Sequence, residues 1–327
     1  MNDLKEIVEC LMQGRRFGLL THSEPDADGI CSMLAFGRTL EAGRKEVVMV
    51  IGEPLAGPLA VIGGRCSVAG RIESSALDAV IALDCSDFSR MTPEVETGGC
   101  PLVNIDHHRS NAFFGDLNLV DPGASSTAEM VWGLICAMGL PVDKETAGYL
   151  FSGVQSDTGS FSFPNTSSDC LRFAAEMVRL GALPWEIWRL MNGSYGVERL
   201  RLLQAALETV EFHHGGKIGV ITVVDEILRR TGASDHDCRH LVDLPRNVAG
   251  VEISVMIIQA GDQMYRFSLR SSGGADVACV AERFGGGGHR GAAGFELEGI
   301  LEVLKRQVID AAAQSLERHV DTVERGF

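Results

Sequence analysis

His22, Asp26 and Asp28 follow the spacing His-x3-Asp-x-Asp-Gly and bring one imidazole and two carboxylates into a short segment. Asp26 and Asp28 are alternate residues, so a loop can turn them to different sides, one toward each of two metal ions. Taken alone, the pattern also suits a helix cap and turn, because Asp28-Gly29 opens a helical stretch where negative charge is favourable. Three more polar clusters recur downstream: Asp84-Cys85-Ser86-Asp87, Asp106-His107-His108, and Asp157 within Gln155-Ser156-Asp157-Thr158-Gly159-Ser160. Together they supply four carboxylates and at least two imidazoles, with no thiolate. Oxygen-rich ligands with imidazole suit manganese or magnesium and do not match a thiolate zinc site. If ionised, Asp26, Asp28, Asp84 and Asp157 balance two divalent cations; without them the carboxylates would repel and some would protonate. Two such ions ~3.5–4 Å apart acidify a bridging water and clamp a phosphoryl group for in-line attack. Phosphoester hydrolysis is the reaction this set suits best.

The elements that must position these groups are legible as an alternation. Apolar, β-rich runs at Phe17–Thr21, Glu46–Ile51, Asp78–Leu83 and Pro101–Ile105 are separated by helical patterns at Asp28–Ala42, Ser126–Met138 and Asp143–Gly153. Continuous apolar strands between helices predict a parallel sheet covered by helices on both faces. Thr21-His22, Asp84 and Asp106-His107-His108 each end one of those strands. In an open parallel sheet the carboxyl ends lie along one edge, where ligands bind. Residues far apart in sequence are thereby expected to converge.

The alternation breaks near Asn192-Gly193-Ser194, and a charged helix over 196–211 follows. Strands are then expected at Ile218–Val224, Val251–Ile258 and Met264–Leu269. This predicts an α/β chain with a parallel-sheet domain over 1–190, a helical linker over 191–213 and a smaller α/β domain over 214–327.

Composition limits the partners. The 327 residues carry 29 Lys and Arg against 44 Asp and Glu, a net charge of −15, which argues against a basic face for long duplex nucleic acid. The first 213 residues hold 28 of the acidic groups and only 16 of the basic ones, so bound cations are most welcome there. No apolar run approaches the ~20 residues of a membrane span, and the N-terminus, with Asp3, Glu6 and Glu9, lacks the build of a secretion signal. Nine cysteines without a C-x-x-C pair suggest free thiols and a cytoplasmic location.

With these residues in view, the series His22-x3-Asp26-Ala27-Asp28-Gly29, Asp84 with Asp87, Asp106-His107-His108, and Asp157 resembles the motif set of the DHH phosphoesterase superfamily. The stretch Gly285-Gly286-Gly287-Gly288-His289-Arg290-Gly291-Ala292-Ala293-Gly294 is similar to the signature of the DHH-associated C-terminal domain. Length and two-domain build resemble the stand-alone nanoRNase/pAp phosphatase group, which trims very short RNA and removes the 3′-phosphate of 3′-phosphoadenosine 5′-phosphate. The resemblance implies that His22, Asp26 and Asp84 bind one metal, and that Asp28, Asp84, His107 and Asp157 bind the other, with Asp84 bridging. It implies that His108 faces the scissile phosphate. Manganese is the expected ion, with magnesium or cobalt as alternatives. Asp87 is a candidate orienter of ligands. Arg109, Arg270, Gly287, Gly288 and His289 are candidate substrate contacts, the glycines because a bare backbone can approach a ligand closely. The linker would let the second domain close over a short substrate.

Other features carry blander readings. Asp235-His236-Asp237 is expected to be a turn, and Trp185 with Trp188 to be helix packing. Ser125-Ser126 should cap a helix whose N-terminus could also receive phosphate. The function expected is metal-dependent hydrolysis of short single-stranded oligoribonucleotides or 3′-phosphoadenosine 5′-phosphate, in a chain that could form a homodimer. A cyclic or linear diadenylate phosphodiesterase could share every metal ligand. An inorganic pyrophosphatase, a long-strand exonuclease and a non-enzymatic nucleotide-binding module fit less of the sequence.

Overall fold

A computed structural model describes residues 4–95, 99–193, 196–238, 240–272 and 275–324, with side chains defined for all of these except 289 and 317–324. The chain divides into two compact units, Met1–Ser194 and Tyr195–Phe327.

In the first unit the helix α1 (Leu4–Gln13) precedes β1 (Arg16–His22), α2 (Ala27–Ala42), β2 (Glu46–Ile51), β3 (Ala79–Leu83), β4 (Leu102–Asp106) and β5 (Leu117–Val120). The helices α3 (Thr127–Met138), α4 (Lys144–Asp157), α5 (Ser168–Arg179) and α6 (Pro184–Asn192) follow. All five strands are parallel and run in the order β2, β1, β3, β4, β5, with a two-residue strand at Ser67–Val68 beyond β2. The chain moves from β1 to β2 on one side and returns to β3 on the other. This strand-order reversal opens a crevice at the carboxyl ends of β1 and β3.

β3 and β4 are buried at every position, β3 with an unbroken apolar sequence and β4 with only Asn104 and the terminal Asp106 polar. Side chains alternate between two cores. Leu19, Ile81 and Val103 point into the one built with Ile30, Leu34, Val131 and Leu150 from the helices. Leu20, Val80 and Ala82 point into the other, with Ile72, Cys85, Met91 and Leu102. The second face is covered by short strands and loops rather than by the helices expected on both faces. The reason is local: between β2 and β3 the chain forms one six-residue α-helix, Gly57–Ile62, and a three-residue 3-10 turn, Ser74–Ala76, and Ile62 packs into the first core.

α4 matters most to the site because Asp157 is its last residue. Asp143 caps it, accepting the Thr146 N–H at 2.8 Å through Oδ1 while Oδ2 lies 2.5 Å from Arg38 Nη2 on α2. Partial burial would raise this carboxyl, but those hydrogen bonds and the guanidinium hold it at about 2 against an ordinary 3.8. Replacing Asp143 by alanine is expected to cost about 1 kcal/mol at neutral pH, the usual worth of an acidic N-cap. Because the folded carboxyl titrates below the unfolded one, this contribution is present above about pH 4 and fades as pH falls toward 2. Urea unfolding of wild type and variant across that range should show their midpoints converging. A constant difference down to pH 2 would sink the assignment.

The second unit is a mixed sheet. Its strands are β6 (Glu211–His213), β7 (Ile218–Val223), β8 (Ile253–Gly261), β9 (Met264–Ser271), β10 (Gly287–His289) and β11 (Ala292–Glu298), in the order β6, β7, β8, β9, β11, β10. Val220, Val255, Leu269 and Phe295 face one core, with Val308 and Ala312 of the long helix over 301–324. Ile221, Val223 and Met256 face another. The helix expected as a linker, observed at Val197–Leu207, places Leu202, Ala205 and Ala206 in that second core. Its apolar residues recur at i, i+3 and i+4, so the helix is a packed element of this unit.

Candidate metal centre

β1 delivers His22 to the crevice, buried, with Nδ1 2.7 Å from the Ser23 carbonyl oxygen. A carbonyl can only accept, so Nδ1 carries the proton. Nε2 therefore carries the lone pair whenever the ring is neutral, as metal binding requires, and it faces Asp84 Oδ2 at 3.7 Å. Asp26 is the N-cap of α2, and one oxygen, Oδ1, accepts the N–H groups of Asp28 at 2.9 Å and Gly29 at 3.1 Å. The acidic cap expected at Asp28-Gly29 is therefore Asp26. Its other oxygen is not used in capping.

Asp84 follows β3 with φ of 61°, a left-handed conformation that turns its side chain into the crevice. Its Oδ2 faces His22. Its Oδ1 faces the Nε2 of His107 at 3.7 Å, the Nδ1 of His108 at 3.6 Å and the Thr127 hydroxyl at 3.0 Å. The two oxygens thus look to opposite sides, the geometry a bridging carboxylate needs. β4 carries Asp106 at its end and His107 and His108 just beyond. His107 Nε2 lies 3.0 Å from Asp157 Oδ2 at the end of α4.

Three groups result, each with one ligand atom per residue and all of these within 4.8 Å of one another: His22, Asp26 and Asp84; Asp28, His107 and Asp157; and Asp84, His107 and His108. All six residues read from the sequence as metal ligands are brought together. The donor set fits a divalent cation, and an orphaned atom agrees with it: Thr21 Oγ1, at the end of β1, is buried without a hydrogen-bond partner. A Cβ on Gly29 would lie 2.3 Å from that oxygen and 3.4 Å from Asp84 Oδ2, so the hydroxyl borders the pocket and glycine is needed there.

The electrostatics describe a site short of positive charge. Burial and the charges of Asp157 and Asp84 push Asp28 well above the ordinary carboxylate value. Enclosure, with Asp84 and Asp157 nearby, raises Asp26 although it keeps solvent contact. Burial likewise raises Asp157, against its hydrogen bond to His107. Asp84 goes the other way: burial would raise it, but the neighbouring His22, His107 and His108 bring it to about 2. Burial would lower His22 and His107, yet their carboxylate neighbours lift them to about 9 and about 10. Protons on imidazoles are standing where cations would stand.

His108 sits differently. Its Nδ1 is 2.7 Å from Oδ1 of Asp106, a fully buried carboxylate whose Oδ2 accepts the Asn111 amide at 2.6 Å. Asn111 and Asn104 also donate to the Cys85 carbonyl at 3.1 and 3.0 Å, tying down the turn after Asp84. With Nδ1 on Asp106, Nε2 is the nitrogen that would meet a substrate. The sequence carried a signal for this network that pattern reading passes over: Asn104 is a polar residue inside an otherwise apolar buried strand, and such groups are hydrogen-bonded for a reason.

Some expectations need correction. Asp87 has a local role: its Oδ1 accepts from the Ser89 N–H at 2.8 Å and hydroxyl at 2.6 Å, capping its own turn. Ser126 does cap α3, accepting the Glu129 N–H at 3.2 Å, but that helix end receives a protein carboxylate rather than phosphate. Thr127 N–H and Ala128 N–H donate to the two oxygens of Asp28 at 2.6 and 3.0 Å. Trp185 and Trp188 are not packed into a core; they are exposed and stack on each other at 5.6 Å between ring centres.

Of the expected substrate contacts, Arg109 is exposed directly after His108. In the second unit, Arg270 ends β9 half-buried, its Nη1 2.9 Å from the Leu269 carbonyl. Burial and the nearby Arg246 lower Arg270, while Asp243, which pairs with Arg246 at 2.8 Å, opposes them. Gly287 and Gly288 are exposed in β10, where Gly288 has φ of 145° and a Cβ would lie 2.5 Å from the Ala292 carbonyl oxygen. Backbone register sets Arg270 opposite Ala292, and Ala292 opposite His289, whose side chain lies outside the described residues. Asp235 pairs with Arg266 at 2.9 Å and Asp237 accepts from Ser234 within a turn, as expected.

Comparison with known proteins adds the lineage. Residues 16–154 match the DHH family, N-terminal domain, and residues 216–320 match the DHHA1 domain. The bifunctional oligoribonuclease and PAP phosphatase NrnA of Thermus thermophilus is 33% identical over 305 residues, 92% of this chain and 90% of that protein. The Bacillus subtilis protein of the same name is 27% identical over 282 residues, 84% of this chain and 87% of that one. The cyclic-di-AMP phosphodiesterase PdeA of Listeria monocytogenes is 29% identical over 218 residues, covering 64% of this chain but 32% of its own. The crystal structure of an exopolyphosphatase-related protein from Bacteroides fragilis shares the fold, with a TM-score of 0.89 at 23% identity over 98% of this chain and 97% of that one. Both domain types stand in series here, and the similarity to the Thermus protein runs nearly end to end: the chain belongs to the DHH family, as an N-terminal DHH domain followed by a DHHA1 domain.

Proposed function

We propose that this protein is a metal-dependent phosphoesterase that hydrolyses short oligoribonucleotides and removes the 3′-phosphate of 3′-phosphoadenosine 5′-phosphate. The observation that carries the reading is the convergence of His22, Asp26, Asp28, His107 and Asp157 around the buried Asp84, in a chain so similar to proteins named for those two activities. His22, Asp26 and Asp84 would hold one divalent ion, and Asp28, Asp84, His107 and Asp157 a second, with manganese the proposed metal. Oδ1 of Asp28 accepts both the Ala128 N–H and the Ser32 hydroxyl, at 3.0 and 3.3 Å, but Oδ2 accepts only the Thr127 N–H and keeps a further lone pair, so ligation through Oδ2 is compatible with these bonds. Bound there, the ions supply charge neutralisation at the phosphoryl oxygens and a water acidified toward neutral pH.

The chain's own groups do the rest. His108, held by Asp106, presents Nε2 to the scissile phosphate, where a proton stabilises developing charge or passes to the leaving oxygen. Arg109, Arg270 and the Gly287–His289 strand are proposed contacts for phosphate and base. The cytoplasm is the proposed location, in keeping with nine cysteines that form no C-x-x-C pair; among the described residues no helix is long and apolar enough to cross a membrane.

A substrate panel with Mn2+ tests the reading: 3′-phosphoadenosine 5′-phosphate, short oligoribonucleotides, cyclic and linear diadenylate, and pyrophosphate, with products separated by chromatography. The expected result is AMP and phosphate from the first and mononucleotides from the second. Turnover of diadenylates alone would transfer the assignment to that class, which the partial similarity to PdeA makes worth including. Turnover of pyrophosphate alone, or of nothing, would overturn it.

A further inference from the structure

Thr127 touches two of the carboxylates at once. It is fully buried at the first turn of α3, its N–H donating to Asp28 Oδ2 at 2.6 Å and its hydroxyl to Asp84 Oδ1 at 3.0 Å. Asp28 stands at the start of α2 and Asp84 beyond the end of β3, so no local geometry relates the two. The next N–H, of Ala128, completes the hold on Asp28 through Oδ1 at 3.0 Å. The turn is itself braced. Glu129 Oε2 accepts from the Ser125 N–H at 2.9 Å and its hydroxyl at 2.5 Å. Asn165 Nδ2 bridges the Ser125 carbonyl at 2.9 Å and the Asp157 carbonyl at 3.1 Å. One helix start is therefore tied to three of the acidic residues: two through their carboxylates and the third through its backbone. The approach is close enough that a Cβ on Gly153 of α4 would lie 2.6 Å from Asp28 Oδ1 and 2.7 Å from Ala128 Cβ, so only glycine lets α4 reach this point.

We propose that Thr127 is a positioning residue of the metal centre, fixing the spacing between Asp28 and the bridging Asp84. This rests on the reading of the cluster as a two-metal site. The hydroxyl occupies one lone pair of Oδ1 and leaves the other directed into the pocket; the N–H does the same for Oδ2 of Asp28. Without the hydroxyl, Asp84 would be free to rotate about its side-chain bonds, and the ordering cost would fall on ion binding. Outer partners of this kind set metal affinity by about 10- to 100-fold.

The test uses the full chain stripped of metal and titrated with Mn2+, unbound ion being read from its EPR signal. Wild type establishes whether the site binds; if it takes up no manganese, the two-metal reading fails, and the present inference with it. If it binds, Thr127→Val and Thr127→Ala, which both lack the hydroxyl, should weaken uptake about 10- to 100-fold, while Thr127→Ser should restore affinity to within about threefold of wild type. Thermal unfolding of the metal-free proteins is measured in parallel, so that a general loss of structure is seen separately; alanine adds no methyl against Asp84 and serves if valine fails to fold. Wild-type affinity in a folded variant without the hydroxyl, or a serine variant as weak as alanine, overturns the proposal while leaving the two-metal reading intact.

Discussion

Asp84→Asn is expected to lower turnover by at least about 10³-fold and to remove tight binding of manganese at both proposed ion sites, well beyond the 10- to 100-fold that an outer partner contributes. Asparagine is the informative replacement because Asp84 sits at φ of 61°, a conformation asparagine tolerates and alanine does not favour. Backbone strain is thereby kept out of the comparison. What changes is the charge and one donor atom. The carboxylate faces His22 Nε2 at 3.7 Å with Oδ2, and His107 Nε2 at 3.7 Å with Oδ1. An amide in the same place turns an NH₂ toward one of these sides and can serve a cation only on the other. The measurements are steady-state turnover of 3′-phosphoadenosine 5′-phosphate and manganese uptake by the resting protein. Retention of both ions at wild-type affinity would show that Asp84 does not bridge.

The second large effect separates chemistry from metal binding. His108→Gln should reduce kcat by about 10²- to 10⁴-fold, the range for loss of a positioned acid or base, with KM and manganese uptake little changed. The structure makes this a real discrimination, since Asp84, His107 and His108 also bring ligand atoms within 4.8 Å of one another. What opposes ligation by His108 is that the nitrogen facing Asp84, Nδ1 at 3.6 Å, is the one held by Asp106 at 2.7 Å. Burial would lower this imidazole, but the Asp106 hydrogen bond and the charge of Asp84 raise it, as suits a group that carries a proton to phosphate. Asp106→Asn should give a smaller fall in kcat, because the ring loses its charged partner while keeping its place. Loss of one manganese ion from the His108 variant would reassign this residue to the metal and leave the proton role without a carrier.

How far the fold was legible depended on which kind of order decided it. The run at 79–83 is apolar throughout and that at 102–105 is apolar but for Asn104, as suits strands buried on both faces between helical patterns, so the parallel sheet could be read directly. What covers the second face could not, because short strands such as Met91–Thr92 are too brief to show a period. The helix over 197–207 presented charge along its length and looked like a connector; the small apolar set Leu202, Ala205 and Ala206 decided its burial. Trp185 and Trp188, three apart in a helix, satisfied a packing pattern equally well in solvent, stacked on one another.

The candidate site divides in the same way. His22, Asp26, Asp28, Asp84, His107 and Asp157 could be named from residue type and from their position at the ends of elements, because a parallel sheet sends all those ends to one edge. The sequence by itself determined the inventory of candidate ligands, its net negative charge and the edge on which it gathers. Tertiary structure alone decided the partners: which oxygen of Asp84 faces which imidazole, that Asp106 holds His108, and that Thr127 joins Asp28 to Asp84. Such contacts depend on angles and on distances of a few tenths of an ångström, and those of Thr127 join segments 43 and 99 residues apart. Periodicity records which face a residue occupies, and it carries no information about what stands opposite.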